Sequence, residues 1–219
     1  MKFLMLIPCP KCGERLTVET KGDEPFPNPQ CECGAYIWLV QSDMRVSRRA
    51  LCRAEAELLT GDFSLAIILS AMAVECELAF LHSKWRMLDA NLIPSEVTPS
   101  HAESWENDFR KVLGGFSGKL DAVTQLMASE TFDSFLARKN ELAAALQKAY
   151  PNKGATSPSK FFVRELFRKR NKILHSGEVQ FGKPEAEACI RMAMSLLQII
   201  GEIDKERIAR LDKELRSKC

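Results

Sequence analysis

The sequence predicts a mainly α protein: a helical bundle preceded by a small β-rich ribbon. Three observations point there. From residue 43 onward apolar residues recur at helical spacing between clear breakers, almost to the end of the 219-residue chain. Four of the eight cysteines (Cys9, Cys12, Cys31 and Cys33) fall in the first 33 residues. Between those cysteine pairs, Pro25, Pro27 and Pro29 forbid a helix, and the run after them, Tyr36-Ile37-Trp38-Leu39-Val40, is β-prone. The length suits one helical domain plus an appended module. The boundary falls near Gln41-Ser42, giving a ribbon over 1–41 and a helical domain over 42–219.

The opening run Met1 to Ile7 reads as a strand leading into the first cysteine pair. Its apolar stretch is short, stops at Pro8 and lacks a small-residue cleavage site, so it does not read as a signal peptide. The first helix is expected over 43–59, ending at Thr60-Gly61. Asp62 caps the next, over 62–90. Its run 63–81 is apolar enough to resemble a membrane span but carries Glu75 and Glu77, which favours a buried core helix. Pro94 and Pro99 mark a loop holding His101. Ser100 and Glu103 have capping-box spacing and open a helix to about 113. Gly114, Gly115 and Gly118 interrupt it, and helices follow over 119–128 and 132–149. Ser157-Pro158 opens a helix ending near Leu174, with Gly177 available as the left-handed residue beyond. The last helix starts after Gly182-Lys183-Pro184. Ile200, Ile203, Ile208, Leu211 and Leu215 continue its apolar stripe.

A formal net charge of +2 gives no global basic field, so any nucleic-acid site must be a local patch. Tight cysteine pairs followed by scattered ones imply a reducing compartment, hence a cytoplasmic address without a membrane. The sequence has no P-loop, no dinucleotide-binding glycine motif and no H-E-x-x-H, which excludes those nucleotide-binding and zincin chemistries.

Cys9-Pro10-Lys11-Cys12-Gly13 has the form of a zinc knuckle: two thiolates on one tight turn, followed by a glycine that lets the backbone turn beneath them. Cys31-Glu32-Cys33-Gly34 is a second pair with a single intervening residue. A closed set of four thiolates leaves no ligand position for water, so the expected zinc is structural. A segment this short has too little core to fold unaided, which also argues for a metal.

The helix 158–174 carries an apolar stripe of Val163, Leu166, Phe167 and Leu174, and position 170 in the middle of that stripe is an arginine. A guanidinium on a core-facing stripe is costly unless paired. A carboxylate such as Glu75 or Glu77 would pair it, and one reading of Arg170 ends there. Arg164, Arg168 and Lys172, spaced by four, form the solvated face, which could also follow phosphates. His175 stands at the helix end. Histidine exchanges protons near neutral pH, and arginine clamps phosphate bidentately. Together they suffice for cleaving RNA without a metal.

Arg170-Asn171-Lys172-Ile173-Leu174-His175 resembles the R-x4-H signature of the HEPN superfamily. The helix with Ala66, Ala71, Val74-Glu75 and Leu78 resembles that family's long helix with an embedded acid. The resemblance implies a HEPN-like helical bundle, with a long insertion over 92–153. It further implies a homodimer in which two R-x4-H motifs face each other, acting as a metal-independent endoribonuclease on RNA, with an antitoxin or defence partner. His175 would be the general acid/base, Arg170 would hold the scissile phosphate, Asn171 would orient the motif and Glu75 would be the polar partner of Arg170. The alternative is a non-catalytic HEPN-like module that binds nucleotide or RNA, or serves assembly. His82, His101, Trp85, Trp105, Cys52, Cys76 and Cys189 read as packing or surface residues.

Overall fold

Asp62 opens the most apolar stretch of the chain, and the helix it caps is the axis of the fold. In the computed structural model its carboxylate accepts from the Leu65 N–H at 2.9 Å and starts α2, Phe63–Asp89. Described are residues 2–8, 12, 15–21, 31–34, 45–113, 115–151, 157–176 and 181–216, with backbone alone for 2–8, 15–21, 176 and 215. The chain divides into two units, Met1–Arg45 and Val46–Cys219, a few residues beyond the expected boundary.

The second unit is a helical bundle. α2 is long and apolar enough to cross a membrane by length and composition. Within the bundle it packs against α1 (Val46–Thr60), α3 (Pro99–Arg110), α4 (Gly115–Ala128), α8 (Arg168–Ser176) and α9 (Lys183–Arg216). Ala66, Ile67, Ala71, Val74, Leu78, Leu81 and Trp85 are buried along it at helical spacing, as the sequence requires of a core helix. Each large aliphatic side chain so buried contributes about 1.5–3 kcal/mol. α1 lies close because its inward residues Ser47, Ala50 and Ala54 are small, and the Ser47 hydroxyl donates to Glu77 Oε2 at 2.5 Å. Gly61, at φ +91°, makes the turn between α1 and α2.

Several boundaries differ from the sequence reading. α3 begins two residues earlier than Ser100 suggests: Thr98 is the N-cap and Pro99 takes the first helical position. Thr98 Oγ1 accepts from the His101 N–H while His101 Nδ1 accepts from the Thr98 N–H. His101 is therefore in a helix, not a loop, and stacks on Trp105. α4 starts at Gly115 and runs through Gly118, where any side chain would meet the Leu113 carbonyl. The expected helix over 132–149 is two: α5 (Phe132–Arg138) and α6 (Asn140–Ala149). The break is at Lys139 (φ −98°, ψ 77°), where Lys139 Nζ and Arg138 Nη2 both reach Glu206 of α9, at 2.7 and 3.0 Å. In α9 the core stripe holds through Ile200 and Ile203. Ile208 is exposed, Leu211 is half-buried, and the side chain of Leu215 lies outside those described.

α9 and α2 are locked by a buried carboxylate. Asp204 accepts from Lys84 Nζ at 2.8 and 2.9 Å and from Trp85 Nε1 at 2.7 Å. Near the same end of α2, His82 is buried on Phe109 of α3, with no hydrogen-bond partner for Nδ1 among the described residues. Burial lowers its pKa and Arg86 adds to this, while Asp108 acts the other way. The unfolded chain thus binds this proton at higher pH than the fold does. The stabilisation is complete above the ordinary histidine pKa and is lost as pH falls through it towards the folded value. The thermal midpoint should fall on acidification through that window, and His82→Leu should flatten the fall. An unchanged pH profile in the variant would assign the loss to other groups.

In the first unit, β1 (Lys2–Pro8) pairs antiparallel with β2 (Arg15–Lys21), Lys2 facing Lys21 and Pro8 facing Arg15. The β-prone run 35–40 lies outside the described residues.

Candidate functional site

Pro158 starts a helix as its fixed φ favours, although the Ser157 side chain makes no cap bond. That helix is not regular. After α7 (Pro158–Phe162) the chain makes a π-helical turn, Val163–Phe167, and then α8. The Arg168 N–H bonds to the Val163 carbonyl five residues back, where an α-helix would reach four. The turn holds one extra residue, so everything after it is rotated by about 100° relative to an unbroken helix. The apolar stripe consequently differs from the expected one. Phe161, Phe162, Leu166 and Phe167 are buried, Val163 is half-buried, and Leu174 is 53% exposed.

Arg170 leaves this helix towards α2. Its Nη2 lies 2.5 Å from Glu75 Oε2, and the two side chains are 22% and 32% exposed. Nη1 donates to Asn171 Oδ1 at 2.9 Å. Of the two acids considered from sequence, Glu75 is therefore the partner, and Glu77 faces α1. His175 stands in the last turn of α8 with its side chain exposed. The structure brings Arg170, Asn171 and Glu75 together and leaves His175 open to solvent beyond them. Arg164, Arg168 and Lys172 are all exposed, as a solvated face requires. Arg164 pairs with Glu165 at 2.6 Å and lies over the Phe161 ring.

Two further residues neighbour this site: Glu165, with no role expected from the sequence, and Cys189, expected only to pack. Glu165 sits inside the π-turn between Arg164 and Lys169, 3.7 Å from Lys169 Nζ. Cys189 of α9 is fully buried and its thiol faces the Glu165 carbonyl at 3.7 Å. Burial pushes the Cys189 thiol up to about 11, so at neutral pH it is a protonated donor. The signal available beforehand was the five-residue spacing of two buried pairs, Phe161 with Leu166 and Phe162 with Phe167.

Next to Glu75, α2 presents an exposed stripe at four-residue spacing: Met72, half-buried Cys76, and Phe80 at 46% exposure.

The first unit has its own cluster. The sulfurs of Cys12, Cys31 and Cys33 all lie within 4.8 Å of one another, with Cys12 and Cys31 at 3.5 Å. That separation exceeds a disulfide bond and approaches the edge of about 3.8 Å expected for thiolates 2.3 Å from one tetrahedral zinc. Gly34, at φ +81°, closes a turn whose N–H bonds to the Cys31 carbonyl at 2.8 Å. Cys9, the fourth expected ligand, lies outside the described residues.

A scan against protein-family models and searches of curated proteins and of solved structures found no match to this chain.

Proposed function

We propose that the helical unit is a HEPN-like, metal-independent endoribonuclease that works as a homodimer, and that the N-terminal unit is a zinc ribbon. The observation that carries this reading is Arg170, held on the bundle by Glu75 and Asn171 beside an exposed apolar helix face, with a solvent-open histidine at the end of the same helix.

Arg170 and His175 are five residues apart on one α-helix, a rotation of about 140° and a rise of about 7.5 Å. That spread disfavours convergence of both on one phosphate from a single chain. Two copies related through this face of α2, about the exposed Met72, would bring Arg170 of one chain towards His175 of the other. In that site a histidine removes the proton of the RNA 2′-hydroxyl. The 2′-oxygen bonds to phosphorus, the bond from phosphorus to the 5′-oxygen breaks, and that oxygen takes a proton from a second acid, water or histidine. Arginine carries the charge that builds on the non-bridging oxygens. The products are a 2′,3′-cyclic phosphate and a 5′-hydroxyl end. Arg164, Arg168 and Lys172 would follow the flanking phosphates, so binding should weaken as salt rises. The expected address is the cytoplasm, and an antitoxin or defence partner would act by covering this cleft.

The test is incubation of purified protein with a mixed RNA pool in EDTA, with end chemistry read on the fragments and folding followed by circular dichroism. Cyclic-phosphate ends from folded protein support the reading, and intact RNA under folded conditions removes it. Met72→Asp should yield a monomer by light scattering and lose at least 10²-fold in cleavage, about the effect of losing one catalytic contributor. A monomeric variant that cleaves at the wild-type rate would place the whole site in one chain.

One observation favours a second reading. The close pairing of Arg170 with Glu75 satisfies the guanidinium within the chain, as a structural ion pair would. A HEPN-like binding or assembly module would then remain, and folded protein would bind RNA without cutting it.

For the ribbon, the donor set suits zinc: Cys9, Cys12, Cys31 and Cys33 would hold one ion as thiolates, supplying folding energy rather than chemistry. Purified protein should contain about one zinc per chain. Cys12→Ser should lower that content and open the hairpin to amide exchange, leaving α2 protected. Full zinc occupancy in Cys12→Ser would remove Cys12 from the ligand set.

A further inference from the structure

We propose that the π-turn Val163–Phe167 is the register device of this site: it absorbs one extra residue so that Arg170 stays in phase with the core anchors Phe161 and Phe162. The proposal deepens the reading of Arg170 as the phosphate-holding residue and rests on it for its functional meaning. The argument runs on spacing. Phe162 and Phe167 are both buried, and Phe167 stacks on Phe116 of α4. Five α-helical residues separate two side chains by about 140°, which cannot place both on one face. The i to i+5 turn does place them there. Phe161 and Leu166 repeat the pattern one residue earlier.

The same count fixes Arg170. It lies eight residues after Phe162, about 80° away in an unbroken α-helix and about 20° away once one residue is taken up by the π-turn. Without the π-turn, and with Phe162 kept in the core, Arg170 would be turned about 100° from the direction in which it meets Glu75. Cys189 is the positioning residue from the neighbouring helix, its thiol donating into the widened turn at the Glu165 carbonyl.

Phase can be separated from sequence by changing the residue count. Arg164 is exposed, and its deletion leaves Leu166, Phe167 and Arg170 three, four and seven residues after Phe162, an ordinary α-helical face. Insertion of one alanine after Arg164 pushes Arg170 a further 100° round. The readout is the coupling between Arg170→Ala and Glu75→Ala in thermal midpoint, measured as a double-mutant cycle in the wild-type, deleted and inserted chains. The cycle needs no RNA, so it stands or fails apart from the ribonuclease reading. Coupling is expected to persist in the deleted chain and vanish in the inserted one. If the wild type cleaves RNA, the inserted chain should lose cleavage. A deleted chain that fails to fold, or that folds without the coupling, overturns the proposal, as does an inserted chain that retains it.

Discussion

On the proposed ribonuclease reading, His175→Ala should lower RNA cleavage by about 10²–10⁴-fold while leaving the thermal midpoint where it is. The size follows from losing a proton-transfer group, and the unchanged midpoint follows from the exposure of the side chain in the last turn of α8. Arg170→Ala should cost about 10²–10³-fold through lost charge stabilisation, and Arg170→Lys should recover only part of it, because ammonium lacks the planar fork. The pair separates by stability. Arg170 is held by Glu75 and Asn171, so its truncation leaves a half-buried carboxylate without its partner and should lower the midpoint as well. Rates measured below the midpoint, with circular dichroism on the same samples, check both statements. Cleavage by His175→Ala at the wild-type rate would remove the histidine from the chemistry.

Asp204→Ala should destabilise the bundle by about 3 kcal/mol. The carboxylate is nearly buried and takes three hydrogen bonds, two from Lys84 and one from Trp85. Removing it leaves the indole N–H of Trp85 buried without an acceptor. Lys84, more exposed than its partner, can turn towards water and soften the loss. For a unit of this size the midpoint should drop by about 6–12 °C. Asp204→Asn keeps an acceptor for Trp85 but not the charge facing Lys84, and should fall between. Thermal melts check the order. Because the cluster joins α2 to α9 away from Arg170, cleavage measured below the midpoint should be unaffected. A midpoint within a degree of wild type would mean that packing alone holds the two helices.

How much of this was legible in the sequence depends on how local the cause is. Asp62 as a cap and Pro158 as a first helical residue act on their own neighbours, and both stand where expected. The core face of α2 follows from periodicity within one helix. Glu75 stood out as an acid inside an apolar run, and it meets Arg170. The break at Lys139 has no glycine or proline to announce it, because its partner Glu206 is on another helix. Asp204 was invisible as the partner of Lys84 and Trp85 for the same reason. The π-turn was written in the spacing of Phe161, Phe162, Leu166 and Phe167, but Val163, Leu166 and Phe167 also fit a regular α stripe, and that stripe hid it. In the first unit, the sulfurs of Cys12, Cys31 and Cys33 lie together, whereas Cys9 lies outside the described residues.

The proposed composite of Arg170 and His175 across a dimer is tested most directly by mixing the two single variants. Arg170→Ala and His175→Ala chains, unfolded together and refolded as mixed dimers, form one site with arginine from one chain and histidine from the other. Cleavage should return in the mixture, at roughly the level of one intact site per mixed dimer. If mixed dimers form and RNA stays intact while the wild type cuts it, the two residues do not meet across an interface, and the account of the site is wrong.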